Sequence, residues 1–98
     1  MAIQHTVTFR LVHPAGSAGE EEFLTAGRAT LAAIPGVADF RVHRQTSTKN
    51  PHDWQFSMVF ADQAACDAYT AHPAHVAFVS SRWASEVADF LEADFVPR

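Results

Sequence analysis

The sequence contains few of the features that assign a protein quickly to a class. Its single cysteine, Cys66, excludes an internal disulfide bond. The neighbours of Cys66 in AACDAY include no cation that would lower a thiol pKa, so we expect a small core residue instead of a reactive thiol. No apolar run approaches the roughly 20 residues of a membrane-spanning helix, and MAIQHTVTFR has no basic region followed by an apolar one, so a signal peptide is not expected. These absences predict a soluble, cytoplasmic protein with no membrane partner.

Basic residues are scarce as well. The chain has seven Lys and Arg against eleven Asp and Glu, a formal net charge of -4, and its basic residues are scattered. Nucleic-acid binding requires clustered positive charge that displaces counterions from phosphates, so nucleic acid is not an expected partner. The chain also lacks a Gly-rich phosphate loop, a G-x-S-x-G elbow and an H-E-x-x-H motif. Phosphoryl transfer, serine hydrolysis and zincin chemistry are therefore not predicted.

The chain does contain enough apolar sequence for a core. Its 98 residues are 48% hydrophobic, which favours one ordered domain over residues 1–98. Residues 3–11 alternate apolar and polar side chains with the period of a half-buried strand. Ser17, followed by Glu20, has the capping-box pattern of a helix start, and apolar residues at helical spacing continue as far as Pro35. The pattern predicts a strand followed by an amphipathic helix.

Two more strands and a broken helix are predicted next. The strands span residues 37–45 and 53–60. Asp62 is a suitable N-cap for a short helix through Tyr69, and Pro73 suits the first turn of another helix. The residue before a proline is held away from helical geometry, so the break is expected at His72.

A second helical stripe follows, because apolar residues recur at intervals of three or four: Val79, Trp83, Val87 and Phe90 or Leu91. Residues 91–96 predict the last short strand. The resulting order is β-α-β-β-α-β with the second helix broken in two. It is the order of a ferredoxin-like α+β fold, in which helices cover one face of a four-stranded antiparallel sheet.

The other face of the sheet is too mixed for a core and too apolar in places for an ordinary surface. It carries side chains of the first and third strands, with some apolar groups of the second: Gln4, Thr6, Thr8, Arg10, Gln55, Ser57 and Val59. A second copy of the chain is the simplest cover, since most soluble oligomers are symmetric homodimers. We therefore expect a homodimer.

Six histidines are many for a chain of this length. His13, His43 and His52 lie in turn-rich or exposed strand contexts, which predicts solvated side chains. His5 lies on the apolar face of the first strand by alternation, so its ring needs a buried partner. Either His5 is a neutral residue bonded to a core hydroxyl such as that of Tyr69, or it belongs to a buried catalytic site.

Four segments resemble the stress-responsive dimeric α/β barrel family: HTVTFRL, IPGVADFRV, Y-x-x-HPAHVAF and DFVP. Together they cover nearly the whole chain, and HPAH preceded by Tyr is the most specific of them. The resemblance implies two ferredoxin-like subunits that pack their open sheet faces into a barrel. A plant polyketide cyclase of that family, which closes a linear polyketide by an aldol reaction without a cofactor, is similar over the same span.

That similarity places the catalytic pair on Tyr69 and His75 and an accessory histidine on His5. His75 would act as general base on an acidic C–H group, Tyr69 would donate to the carbonyl oxygen, and His5 would orient one of them. The pocket differs from the cyclase, because Trp54 replaces a histidine and Gly27 replaces a tyrosine. The residues expected to contact a substrate are apolar: Trp54, Phe23, Leu24, Phe56, Met58 and Trp83.

Two functions therefore stay open. The first is a small homodimeric barrel protein whose interior holds an apolar ligand or nothing, with the histidines serving the fold. The second is a cofactor-free cyclase or lyase for a polyketide-like or other 1,3-dicarbonyl compound, whereas an oxygenase finds no further residue in its favour. His72 and His75 could approach a metal with His5 as third ligand, but no acid or cysteine nearby completes a tetrahedral set. Neither a metal nor a cofactor is expected.

Overall fold

The structure is a computed structural model that describes residues 1–98, and its four strands form one antiparallel sheet with the order β2-β3-β1-β4. The strands are β1 (Ile3–Leu11), β2 (Ala38–Arg44), β3 (Trp54–Phe60) and β4 (Val87–Phe95). β1 is central and pairs with both β3 and β4. The predicted ferredoxin-like α+β fold is confirmed.

Helices cover one face of this sheet. They are α1 (Ala18–Leu31), α2 (Gln63–Ala71) and α3 (Pro73–Phe78), followed by a π-helical segment (Val79–Trp83) and a last helical turn, α4 (Ala84–Glu86). None of these helices combines the length and the apolar character that crossing a membrane requires.

The helix starts follow the capping rules that the sequence displays. Ser17 Oγ accepts from the backbone N–H of Glu20 at 3.2 Å, and the Glu20 carboxylate accepts in return from the N–H of Gly16 at 3.0 Å. Asp62 Oδ1 accepts from the N–H of Ala65 at 2.9 Å at the start of α2. Both predicted N-caps are confirmed, and each is typically worth about 1 kcal/mol.

The break between α2 and α3 lies at His72, as predicted. Its backbone is extended, with φ -64° and ψ 137°, because Pro73 disfavours helical geometry in the preceding residue. The His72 ring accepts a hydrogen bond through Nδ1 from the N–H of Ala74 at 3.1 Å. His72 therefore ends one helix and caps the next.

The core lies between the sheet and the helices and is strongly aromatic. Phe9, Phe23, Phe56 and Phe60 are completely buried, and the rings of Phe9 and Phe56 are 4.8 Å apart between centroids. Burial of each such side chain stabilises the fold by about 1.5–3 kcal/mol. Cys66 is buried in the same cluster, as its neighbours predicted.

The predicted end of the last helix is wrong. The spacing of Val87, Phe90 and Leu91 suggested that the helical stripe continues through them, but all lie in β4. The helix ends earlier because β1 captures the backbone there: the N–H of Val12 donates to the Glu86 carbonyl at 2.8 Å, and Leu11 pairs with Val87. Strand pairing outweighs the helical period at this point.

The open face of the sheet also differs from its prediction in two respects. A bulge between Ala38 and Arg41, with Asp39 at φ 52°, places Ala38 opposite Val59 on the open face instead of with the core side chains of β2. The large apolar groups of this face come from β4, where Leu91 is 66% exposed and Phe95 is 55% exposed.

His52 is not solvated, contrary to expectation, whereas His43 is exposed. His52 is only 6% exposed and lies against the open face, where Nε2 donates to Asp89 at 2.9 Å and Thr8 donates to Nδ1 at 2.8 Å. His13 is partly buried against Glu86. Loop context alone did not reveal these acidic partners, because both carboxylates are distant in the sequence.

Candidate active site

A cavity of about 170 Å³ lies between the covered face of the sheet and the helices that follow β3. Its polar lining consists of His5 from β1, Tyr69 from α2, His75 from α3 and Glu92 from β4. The remaining walls are apolar and include Phe56, Met58, Phe78, Trp83 and Phe90. The structure therefore brings His5, Tyr69 and His75 around one space.

His5 reaches the cavity because it lies on the covered face of the central strand. It is 8% exposed, and its Nδ1 is 2.5 Å from Oδ1 of Asp94. A carboxylate only accepts, so Nδ1 carries the proton and Nε2 of a neutral ring carries the lone pair. His5 does not bond to the Tyr69 hydroxyl, which was one of the two alternatives open from the sequence, because the β1–β4 register places Asp94 opposite His5.

Tyr69 lies between the two cavity histidines. Its ring centroid is 5.9 Å from that of His5 and 4.6 Å from that of His75. The hydroxyl has no hydrogen bond within the protein. Every fully buried polar side-chain atom of the chain has a partner, so this hydroxyl is not fully enclosed. Because Tyr69 lines the cavity, we infer that the hydroxyl is open to it. Burial, with a smaller contribution from the charge of Glu92, raises the pKa of Tyr69. Tyr69 is thus a protonated donor that is free to bind a ligand.

His75 lies in α3, and its ring is oriented by the last turn of α2. Its Nδ1 is 3.0 Å from the backbone carbonyl of Thr70, and since a carbonyl only accepts, Nδ1 carries the proton. Burial lowers the pKa of His75, although the Thr70 hydrogen bond and the charge of Glu92 oppose the shift. The neutral ring therefore dominates at pH 7, and its Nε2 lone pair has no partner within the protein.

This arrangement can perform general acid–base chemistry. A neutral imidazole with a free Nε2 can accept a proton, and the adjacent Tyr69 hydroxyl can donate to an oxygen that gains negative charge. The hydrogen bond to Thr70 fixes the tautomer of His75, so the ring can accept a proton at Nε2 without first changing its tautomer.

The other predicted contact residues divide into two groups. Phe56, Met58 and Trp83 line the cavity, but Phe23, Leu24 and Trp54 do not. Trp54 lies at the far end of β3, opposite Phe9, where its indole N–H donates to Glu20. Phe23 is buried behind Phe56, and the two rings stack 6.5 Å apart.

Glu92 and Asp94 are the site residues that the sequence reading missed. Both lie on β4, on the same face as the cavity, because Val7 pairs with Glu92 and His5 with Asp94. Alternating acids at positions 92 and 94 in LEADFV were the available signal. The period-two rule places them on one face, but only the register shows that this face lines the cavity.

His5, His72 and His75, which were considered as metal ligands from the sequence, do not form one cluster. His72 uses its ring as a helix cap, whereas the donors that do come together are His5, Cys66 and Asp94, whose ligand atoms lie within 4.8 Å of one another. His5 and Asp94 are bonded to each other, and burial together with the charge of Asp94 raises the pKa of the Cys66 thiol. A metal would have to displace the thiol proton and separate the bonded pair.

Comparison with known proteins places nearly the whole chain in one family. The family model of the stress-responsive A/B barrel domain (Dabb) matches residues 3–97. A Dabb family protein with a ferredoxin-like fold from Mesorhizobium loti is 49% identical, with a TM-score of 0.98 over 99% of this chain and 97% of that chain. The search of curated proteins finds no match.

More distant structures share the fold. A dimeric ferredoxin-like protein of unknown function from Thermobifida fusca is 23% identical, with a TM-score of 0.80 over 99% of this chain and 92% of that one. A hydroxynitrile lyase from Passiflora edulis is 9% identical, also with a TM-score of 0.80, over 99% of this chain and 94% of that one. The resemblance stated from the sequence is confirmed: the chain belongs to the stress-responsive A/B barrel domain family.

Proposed function

We propose that the protein is a homodimeric barrel whose subunit cavity catalyses cofactor-free proton transfer on a small carbonyl compound, as a cyclase or lyase does. His75 is the base, Tyr69 is the hydrogen-bond donor, and His5 supports the site through its pairing with Asp94. The observation that carries the proposal is that the free Nε2 of His75 and the free hydroxyl of Tyr69 belong to one cavity.

The reaction follows from these two groups. His75 Nε2 takes a proton from the carbon next to a carbonyl, and Tyr69 donates a hydrogen bond to the carbonyl oxygen as the enolate forms. In a ring closure, the enolate carbon bonds to a second carbonyl carbon, and the imidazolium returns its proton to the new alkoxide. Such a pair contributes about 10²- to 10⁴-fold, which suits a substrate with an already acidic C–H bond.

The open face of the sheet supports the homodimer. Its apolar groups Leu91 and Phe95 are 66% and 55% exposed in a single subunit, and the relative from Thermobifida fusca is described as dimeric. Leu91→Asp is expected to give monomers by light scattering, because it inserts a charge into the interface. The matched change Val76→Asp, at an exposed position of α3, is expected to leave the dimer intact.

A non-catalytic binding protein is the second candidate. The small volume and largely apolar walls of the cavity favour it, since such a space can hold an apolar ligand without reacting with it. The two candidates differ in whether His75 exchanges protons with what is bound.

Deuterium exchange separates them without knowledge of the natural substrate. Phenylacetone in D₂O is expected to gain deuterium at its benzylic carbon faster with the protein than with buffer alone. His75→Ala is expected to remove the acceleration, and the exposed-histidine control His43→Gln is expected to keep it. Binding of phenylacetone without any acceleration would favour the non-catalytic candidate.

A further inference from the structure

Glu92 is a carboxylate at the cavity that the proposed reaction does not use. It is exposed, lines the cavity with His75 and Tyr69, and takes part in no hydrogen bond or ion pair of its side chain. No Lys or Arg lines the cavity. The negative charge of Glu92 therefore acts on this space without a permanent countercharge.

The charge of Glu92 changes the pKa of both Tyr69 and His75. It opposes the lowering of the His75 pKa and contributes to the raised pKa of Tyr69. Asp94 lies on the same face and is paired with His5, although Asp94 itself does not line the cavity. A carboxylate or phosphate that entered the cavity would approach like charge in a partly desolvated space, which opposes its binding.

The walls limit the size of what enters. The cavity of about 170 Å³ slightly exceeds an apolar cavity of about 150 Å³ that is known to hold benzene. Phe56 and Met58 are fully buried and cannot move aside without repacking the core, whereas Phe90, on the open side, is 50% exposed. The enclosed part therefore holds one ring with a short substituent.

We infer that the substrate is an uncharged carbonyl compound of about single-ring size, and that Glu92 is the residue that excludes anions. The carbonyl part of this inference rests on the proposed function, but the size and charge limits rest on the cavity alone. A free linear polyketide acid is excluded on both grounds, whereas an uncharged aromatic aldehyde or ketone fits.

Binding of matched probes tests the charge limit apart from catalysis. Benzamide and benzoate have the same shape and differ in charge, so their dissociation constants are compared by calorimetry at low ionic strength, at a pH where His75 is neutral. The wild type is expected to bind benzamide about tenfold or more tightly than benzoate. Glu92→Gln is expected to tighten benzoate binding and to leave benzamide unchanged. Glu21→Gln, which removes an exposed charge from α1, is expected to change neither.

The size limit is tested with 2-naphthamide. It is expected to bind the wild type at least tenfold more weakly than benzamide, and Phe90→Ala is expected to reduce that difference because it widens the open side.

Equal binding of benzamide and benzoate by the wild type, or a preference that Glu92→Gln leaves intact, contradicts the charge assignment. Equal binding of both amides contradicts the size limit. Selective binding without deuterium exchange would contradict only the proposed function.

Discussion

The Nδ1 atom of His5 lies 2.5 Å from the carboxylate of Asp94, although the two residues are separated by 89 positions in the chain. The contact exists because β1 pairs with β4 in a register that sets these residues opposite each other. It fixes the tautomer of His5 and leaves Nε2 as the ring atom that can accept from the cavity.

Asp94→Ala is expected to impair the site more than the fold. The Asp94 side chain is 45% exposed, so loss of the pair is expected to lower the free energy of unfolding by only about 1 kcal/mol. The rate of deuterium exchange is expected to fall much more than this small loss of stability could cause, because the His5 ring is no longer held by Asp94. Urea unfolding and deuterium exchange measure the two effects, and an unchanged exchange rate would show that the His5 pair has no part in catalysis.

Tyr69→Phe is expected to separate activity from stability. The hydroxyl has no hydrogen bond within the protein, so its removal is expected to change the free energy of unfolding by less than the roughly 1 kcal/mol that a lost hydrogen bond costs. The exchange rate is expected to fall about a hundredfold, because the enolate oxygen loses its donor. A large loss of stability with no change in rate would instead identify Tyr69 as a structural residue.

The pH dependence of exchange follows from the lowered pKa of His75. The groups that face this ring are the Thr70 carbonyl, Glu92, His5 and Tyr69. Only the neutral ring is a base, so the rate is expected to be constant above the ordinary value of 6.5 and to fall as pH drops through the lowered pKa. Burial makes protonation of His75 less favourable in the folded state than in the unfolded state. The free energy of unfolding is therefore expected to be highest above pH 6.5 and to decrease as the pH falls from 6.5 through the lowered pKa.

Glu92→Gln provides the internal check on that profile. Because the charge of Glu92 raises the His75 pKa against the effect of burial, its removal is expected to move the acidic fall in rate to lower pH. The control Glu21→Gln is expected to leave the profile unchanged. A shift to higher pH would mean that Glu92 does not act on His75 through its charge.

The packing around Gly27 explains why α1 carries no tyrosine at that position. A Cβ on Gly27 would lie 2.7 Å from the Phe56 ring, which is completely buried and cannot give way easily. Gly27→Ala is expected to lower the free energy of unfolding by about 1–3 kcal/mol from overpacking, despite a gain in helix propensity of about 1 kcal/mol. A double-mutant cycle with Phe56→Leu is expected to show that the two changes compensate; strict additivity would contradict the contact.

Local rules predicted the parts of the fold that local chemistry determines. Ser17, Asp62 and His72 mark helix boundaries because each cap depends on neighbouring backbone groups. The end of the last helix depends on the pairing of Val87 with Leu11, which has no local signature. For that reason a helical spacing of apolar residues concealed the start of β4.

The candidate site shows the same division. Tyr69 and His75 are six positions apart and meet because the turn at His72 brings α2 and α3 together, and the family resemblance of the Y-x-x-HPAH segment pointed to both. Glu92 and Asp94 enter the site through strand register across most of the chain, and the sequence reading missed both. Trp54 was expected in the pocket because it replaces a histidine of the similar cyclase, but it lies at the far end of β3, outside the cavity.

The protonation of His75 tests the central claim most directly, and ¹⁵N-resolved NMR of the histidine side chains measures it. At pH 7 the account predicts a neutral ring with a protonated Nδ1 and an unprotonated Nε2, and it predicts that a bound uncharged carbonyl compound shifts the Nε2 signal. A charged ring at pH 7, or a neutral ring protonated at Nε2, would contradict the assignment of His75 as the base.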